Sequence, residues 1–133
     1  FTAQIKQKNQ VIRQKTLGIK KIEAQLDGLG NELADVVEIL FGIETAPSEQ
    51  MVKKIETKQQ EMFNLLAQIT NNDRNIKIQK LEAKVNADKQ HYNHALETYD
   101  NVISLLDDQE TLLIAYSTSV KEFFDLVKSL QYK

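Results

Sequence analysis

Cysteine and tryptophan are absent from this sequence, proline occurs once, and glycine only four times in 133 residues. Without cysteine there is no disulfide framework, no thiolate metal site and no cysteine nucleophile. So little proline and glycine argues against a turn-rich β fold. No apolar run approaches the ~18 residues that a membrane-spanning helix needs. Neither a secretory leader nor a polybasic juxtamembrane tail is evident. An excess of one charge is also missing: the net charge is -2, so wholesale attraction to nucleic acid is not expected. The chain opens on Phe1 rather than Met, which reads as a processed product or an excised fragment of a longer chain. A membrane anchor or targeting signal could then lie in the parent protein, outside this chain. The compartment is left open, with a lean to the cytoplasm.

What is present is apolar patterning. The chain is 41% hydrophobic, too much for a disordered segment of this charge. Ile5, Ile12, Ile19, Leu26, Leu33 and Leu40 fall at intervals of seven, and Ile22, Leu29, Val36 and Ile43 follow three residues after the later members. That is a coiled-coil seam, and it predicts one helix over about 2–43, bent at Gly28-Leu29-Gly30. A break is expected at Glu44-Thr45-Ala46-Pro47, with Thr45 or Ser48 as cap and Pro47 in the first helical turn. A second helix, 47–71, carries Met51, Ile55, Met62, Leu65, Leu66 and Ile69 on one face. Its phase fades at Asn71-Asn72-Asp73, which predicts a turn there, a kinked continuous helix being the alternative.

From Ile78 a seam resumes through Leu81, Val85, Tyr92, Ala95, Tyr99, Val102, Leu106, Leu113, Tyr116, Val120, Phe123, Val127 and Leu130. Asp107-Asp108-Gln109-Glu110 resembles a helix cap and divides the stretch into helices of 74–106 and 109–131. The expected fold is all-α: a single up-and-down antiparallel bundle of three or four long helices with heptad packing, spanning 1–133. Broad apolar faces at 33–43 and 112–130 mark helices with two or more neighbours. The narrower stripe before Gly18 predicts that the first part of helix one projects or pairs thinly.

The chemistry-bearing residues are few. Asp88, His91, His94 and Glu97 form a D-x-x-H-x-x-H-x-x-E run, but the heptad phase scatters them around the helix, and a di-metal centre would need Glu-x-x-His on each of two helices. No metal site, cofactor or catalytic residue is therefore assigned. No phosphate-binding glycine loop or G-x-S-x-G elbow occurs, and no enzyme is expected. Tyr92, Tyr99, Tyr116 and Phe123 sit on the seam and read as core. Lys8, Lys15, Lys58, Asn72, Asp88 and Gln109 interrupt the seam, either because it is solvated there or because they select register.

Charge is blocked along the chain. Residues 1–22 carry +6 with no acid, residues 23–52 carry -7 with no base, and residues 90–120 carry -5. Such blocks can pair across helices, yet a basic opening turn opposes the helix dipole. These features point to a non-enzymatic scaffold or adaptor acting by helix–helix recognition. Ile5, Ile12 and Ile19 would be the knobs and Lys6, Arg13 and Lys20 the flanking charges, meeting an acidic partner helix or a second copy. Two alternatives are a small-molecule or metal-binding bundle with a polar cavity beside Asp88, Tyr92 and Gln109, and a module that binds anionic membranes or nucleic acid through the basic block.

Overall fold

Four α-helices account for nearly all the residues described by the computed structural model, which are 1–43 and 46–132. They are α1 (Thr2–Gly28), α2 (Gly30–Phe41), α3 (Glu49–Asp88) and α4 (Tyr92–Lys128), followed by a 3-10 turn over Ser129–Tyr132. The protein is all-helical, with no strand among the described residues.

α1 and α2 are the two parts of the expected 2–43 helix. Leu29 between them keeps a right-handed helical backbone, but its N–H bonds the Leu26 carbonyl at 3.0 Å, one residue nearer than in an α-helix. Leu33 N–H then bonds the Leu29 carbonyl at 2.9 Å and the ladder continues. The interruption re-aims α2. Ile12 and Ile19 are buried on α1, whereas on α2 the buried residue is Val36, and Leu33 and Leu40 of the first heptad set lie exposed. Glu44 and Thr45 of the expected break lie outside the described residues. Ser48 is the cap of α3, its hydroxyl accepting from Met51 N–H at 3.2 Å, so Pro47 stands just before the helix rather than in its first turn.

Two expected boundaries are corrected and one turn is new. No turn occurs at Asn71-Asn72-Asp73: α3 runs unbroken to Asp88, so 47–71 and the first part of 74–106 are one helix. As far as Ala83 the buried or half-buried positions are Met51, Ile55, Lys58, Met62, Leu65, Ile69, Asn72, Ile76, Gln79 and Ala83, a seam spaced alternately three and four apart without a gap, and Asn86 and Ala87 follow. Its later members are polar or small, so the seam faded from view while remaining in place. Ile78, Leu81 and Val85 point away from the core instead, Leu81 at 64% exposure. Nor is there a cap at Asp107, since α4 is continuous from Tyr92 to Lys128 and Gln109 within it is 3% exposed. The real turn is at Lys89-Gln90-His91. Gln90 takes φ 65°, its N–H bonds the Ala87 carbonyl and His91 N–H bonds the Asn86 carbonyl. This is a Schellman closure with glutamine where glycine is usual, which hid it from the sequence.

α4 is the member that the others share. Lys8 with Asp100, Lys15 with Asp107 and Glu32 with Lys128 ascend α1–α2 and α4 in the same direction. Lys58 with Glu122 and Asn72 with Gln109 run in opposite directions along α3 and α4. The three long helices thus pack together around α4, while α1 and α3 approach each other least. One core cluster joins Ile12, Ile19, Ile76, Ala83, Tyr99, Val102, Leu106 and Leu113; the other joins Val36, Val120, Phe123, Phe124 and Val127. Phe1 stacks on Tyr92, centroids 4.9 Å apart, and ties the start of α1 to that of α4. The basic segment therefore neither projects nor pairs thinly: it supplies Ile12 and Ile19 to the core.

Within the first cluster, Asn72 between Ile69 and Ile76 and Gln109 between Leu106 and Leu113 form a polar lock. The Asn72 amide donates to Gln109 Oε1 at 3.0 Å and to the Leu105 carbonyl at 2.9 Å, and Gln109 Nε2 donates to the Ile69 carbonyl at 3.2 Å. Slipping α3 against α4 by one heptad would strand both amides in an apolar seam, at about 1–3 kcal/mol for each unmatched group. In urea denaturation, Gln109→Leu is expected to lose about 1–3 kcal/mol, whereas Asn72→Leu/Gln109→Leu loses less than the two single substitutions added. At the turn, Gln90→Gly is expected to gain about 1 kcal/mol and Gln90→Val to lose at least as much, because only glycine takes positive φ freely.

Candidate functional site

The structure separates the two sets of residues nominated on α1. Ile5 is half-buried, and Ile12 and Ile19 are 7% and 6% exposed, packed with α4 and with Ile76 and Ala83 of α3. Knobs already seated in their own bundle are not on offer to a second chain, so the isoleucines are core residues and not a docking seam. Lys6, Arg13 and Lys20 remain exposed.

Two of these cations find new company. At about 100° of rotation per residue, Lys8 and Lys15 leave α1 on the side of the Ile12–Ile19 line that meets α4. Asn9, Arg13, Thr16 and Lys20 leave on the other side, toward α3. There they line a shallow groove of about 630 Å³, whose far wall is Lys80 and Lys84 and whose floor includes Ile12 and Tyr99. Lys80 and Lys84, one turn apart on α3, were not nominated from sequence. Nothing along the chain says that their face of α3 looks at Arg13. Leu17, more than half exposed, adds an apolar edge.

The charges divide by face. Where a lysine of α1 or α3 lies against α4 it is matched, Lys8 by Asp100, Lys15 by Asp107 and Lys58 by Glu122 and Glu61, and Lys128 of α4 is matched by Glu32 of α2. Five of the six polar seam residues are thereby engaged across helices: Lys8, Lys15 and Lys58 with carboxylates on α4, and Asn72 with Gln109; Asp88 is not. Hydrogen bonds to Glu122 and then Glu61 raise the Lys58 pKa above the usual 10.5. The bond from Lys58, then one with Ser119, lowers that of Glu61 below 4.5. Along the groove, by contrast, Arg13, Lys20, Lys80 and Lys84 have no carboxylate partner among the described residues.

The other nominated constellations are not assembled. Asp88 ends α3, His91 precedes α4, and His94 and Glu97 follow, all four exposed. Among the described residues no group of three or more histidine and acidic side chains is placed to hold a metal ion. Asp88 and Tyr92 flank the turn, whereas Gln109 is ~25 Å further along α4, at ~1.5 Å per residue, with its amide engaged by Asn72 and Ile69. Among the described residues no helix is long and apolar enough to cross a membrane.

The Lys58 cluster gives a pH dependence of known sign. A raised lysine pKa contributes stability that is complete below the ordinary value of 10.5 and is lost as pH rises through the higher folded value; a lowered carboxylate pKa contributes stability that is lost as pH falls through the folded value, below 4.5. Thermal melts of Lys58→Met, followed by circular dichroism, are therefore expected to depend less steeply on pH than the parent at both extremes. No protein family, curated protein or solved structure matches this chain.

Proposed function

We propose that this chain is a non-enzymatic scaffold or adaptor module, an up-and-down bundle with heptad packing that works by helix–helix recognition at the groove between α1 and α3. The observation that carries this reading is the groove itself: Arg13, Lys20, Lys80 and Lys84, without carboxylate partners among the described residues, above a floor of Ile12 and Tyr99. The two walls are long and little in contact with one another, which leaves room alongside for a helix from a partner. An amphipathic helix would rest its apolar side on Ile12, Leu17 and Tyr99 and set its carboxylates against the four cations. The heptad spacing of burial on α3 and α4 supports the bundle reading. The same cations would attract phosphate; the apolar floor and edge favour a helix over a nucleic-acid strand or a lipid surface.

The test is titration of the chain with two designed amphipathic peptides that share an apolar face, one flanked by glutamates and one by lysines. The glutamate peptide is expected to bind, more weakly as salt rises, and Arg13→Glu/Lys84→Glu to abolish that binding while circular dichroism stays unchanged. Equal binding of both peptides, or of neither, overturns the reading. Tighter binding of single-stranded oligonucleotide or anionic vesicles than of the glutamate peptide would move the function to polyanion recognition.

A further inference from the structure

The face that holds the groove continues along the molecule and changes character. Glu32 leaves α2 toward α4, where it meets Lys128. On the opposite side of the Val36 line, the side that corresponds to Arg13 and Lys20 on α1, the helical phase places Leu33, Val37 and Leu40. All three are exposed, and Phe41 beside them is 88% exposed. Between the two stretches, on that same side of α1, stand Glu23 and Asp27, both exposed and without a basic partner among the described residues. On α3, the flank that carries Lys80 and Lys84 also carries Val52, Phe63 and Leu66 nearer its start, again exposed. One face of the bundle thus has a basic half, at the start of α1 and the end of α3. Its other half is acidic and then apolar, from Glu23 to the end of α2 and along the first turns of α3.

α2 was expected to have two or more neighbours because its apolar face is so broad. Within the chain it packs mainly on α4, and the remainder of that face stays open. We propose that the occupant is a second copy of this chain, turned end for end. Each copy lays Glu23, Asp27 and the Leu33–Val37–Leu40 stripe over the basic groove of the other. The proposal rests on the helix-recognition reading of that groove and adds the identity of its partner.

The charge arrangement selects the orientation. Two copies side by side in parallel would set Arg13, Lys20, Lys80 and Lys84 against the same four cations. Reversal sets them against Glu23 and Asp27, twice, as a two-fold axis requires. Reversal also brings the open leucines and valine of α2 toward the exposed Leu81, so apolar surface on each copy gains cover from the other. An acidic helix from another protein would satisfy the groove but would leave α2 and Phe63 uncovered.

Charge reversal gives a test that neither half can pass alone. The groove variant is Arg13→Glu/Lys80→Glu/Lys84→Glu, and the acid variant is Glu23→Lys/Asp27→Lys. All five positions are exposed and the new residues are good helix formers, so folding is checked simply by circular dichroism. In sedimentation across a concentration series, the parent chain is expected to dimerise. Each variant alone should dimerise at least about tenfold more weakly, since like charges now face each other at both contacts. Mixed in equal amounts, the two variants should dimerise like the parent, because both contacts of the mixed pair are again complementary. A parent that stays monomeric throughout overturns the proposal, as do variants that dimerise unchanged or a mixture that does not recover. If the parent is monomeric yet binds the glutamate peptide, the groove reading stands and only the second copy is ruled out as its occupant.

Discussion

Everything in this molecule depends on α4 being apolar on more than one side. Tyr99, Val102, Leu106, Leu113, Val120, Phe123 and Val127 form its heptad line, and Phe124, at 2% exposure, extends it toward α2. An isolated helix of this composition would expose too much hydrophobic surface to persist in water, at ~25 cal/mol for each Å² left uncovered. It therefore collects a partner on each flank: α1 and α2 along one, α3 along the other. The α1 and α3 helices owe their positions to α4 more than to each other. The groove between them is a by-product of that arrangement.

Hydrophobic burial alone would leave the helices free to slide by whole heptads, since one apolar layer resembles the next. The polar residues on the seams remove that freedom. Asn72 and Gln109 satisfy each other and nearby carbonyls at one register, and no buried side-chain nitrogen or oxygen among the described residues is left without a partner. Lys8, Lys15 and Lys58 act at the margins, half-buried along their stems with their heads on α4 carboxylates. Such exposed pairs add at most ~1 kcal/mol each. Their value is in orientation: they are satisfied only when α1 runs alongside α4 and α3 runs against it.

The sorting of charges follows from this. Lysines on the α4 side of α1 and α3 are matched across helices. On the side away from α4, Lys77 pairs within α3 with Asp73, whereas Arg13, Lys20, Lys80 and Lys84 have no carboxylate partner among the described residues. Surface charges unmatched in a single chain are ordinary. Here they are separated by sign along one face and accompanied by open apolar side chains on α2 and α3, and the proposed association rests on those two features.

The all-helical class, a bend at Gly28-Leu29-Gly30 in the first long helix, and the apolar spacing from Tyr92 to Val127 were legible in the chain, though not the continuity of α4 through Asp107. Large apolar residues at strict spacing leave few other ways to bury them. The second half of the α3 seam was not legible, because Asn72, Gln79 and Ala83 do not read as core until Gln109 and α4 are placed against them. The turn at Gln90 was hidden because the left-handed position is held by glutamine, with the bonds from Gln90 and His91 back to Ala87 and Asn86 in place of a glycine signature. For the site, the sequence determined that Lys6, Arg13 and Lys20 share a face of one helix, since helical periodicity is local. Only tertiary structure decided that Ile12 and Ile19 are interior and that Lys80 and Lys84 stand across from Arg13. Which flank of α3 looks toward α1 is set by how both helices pack on α4, and that depends on residues far away in the chain.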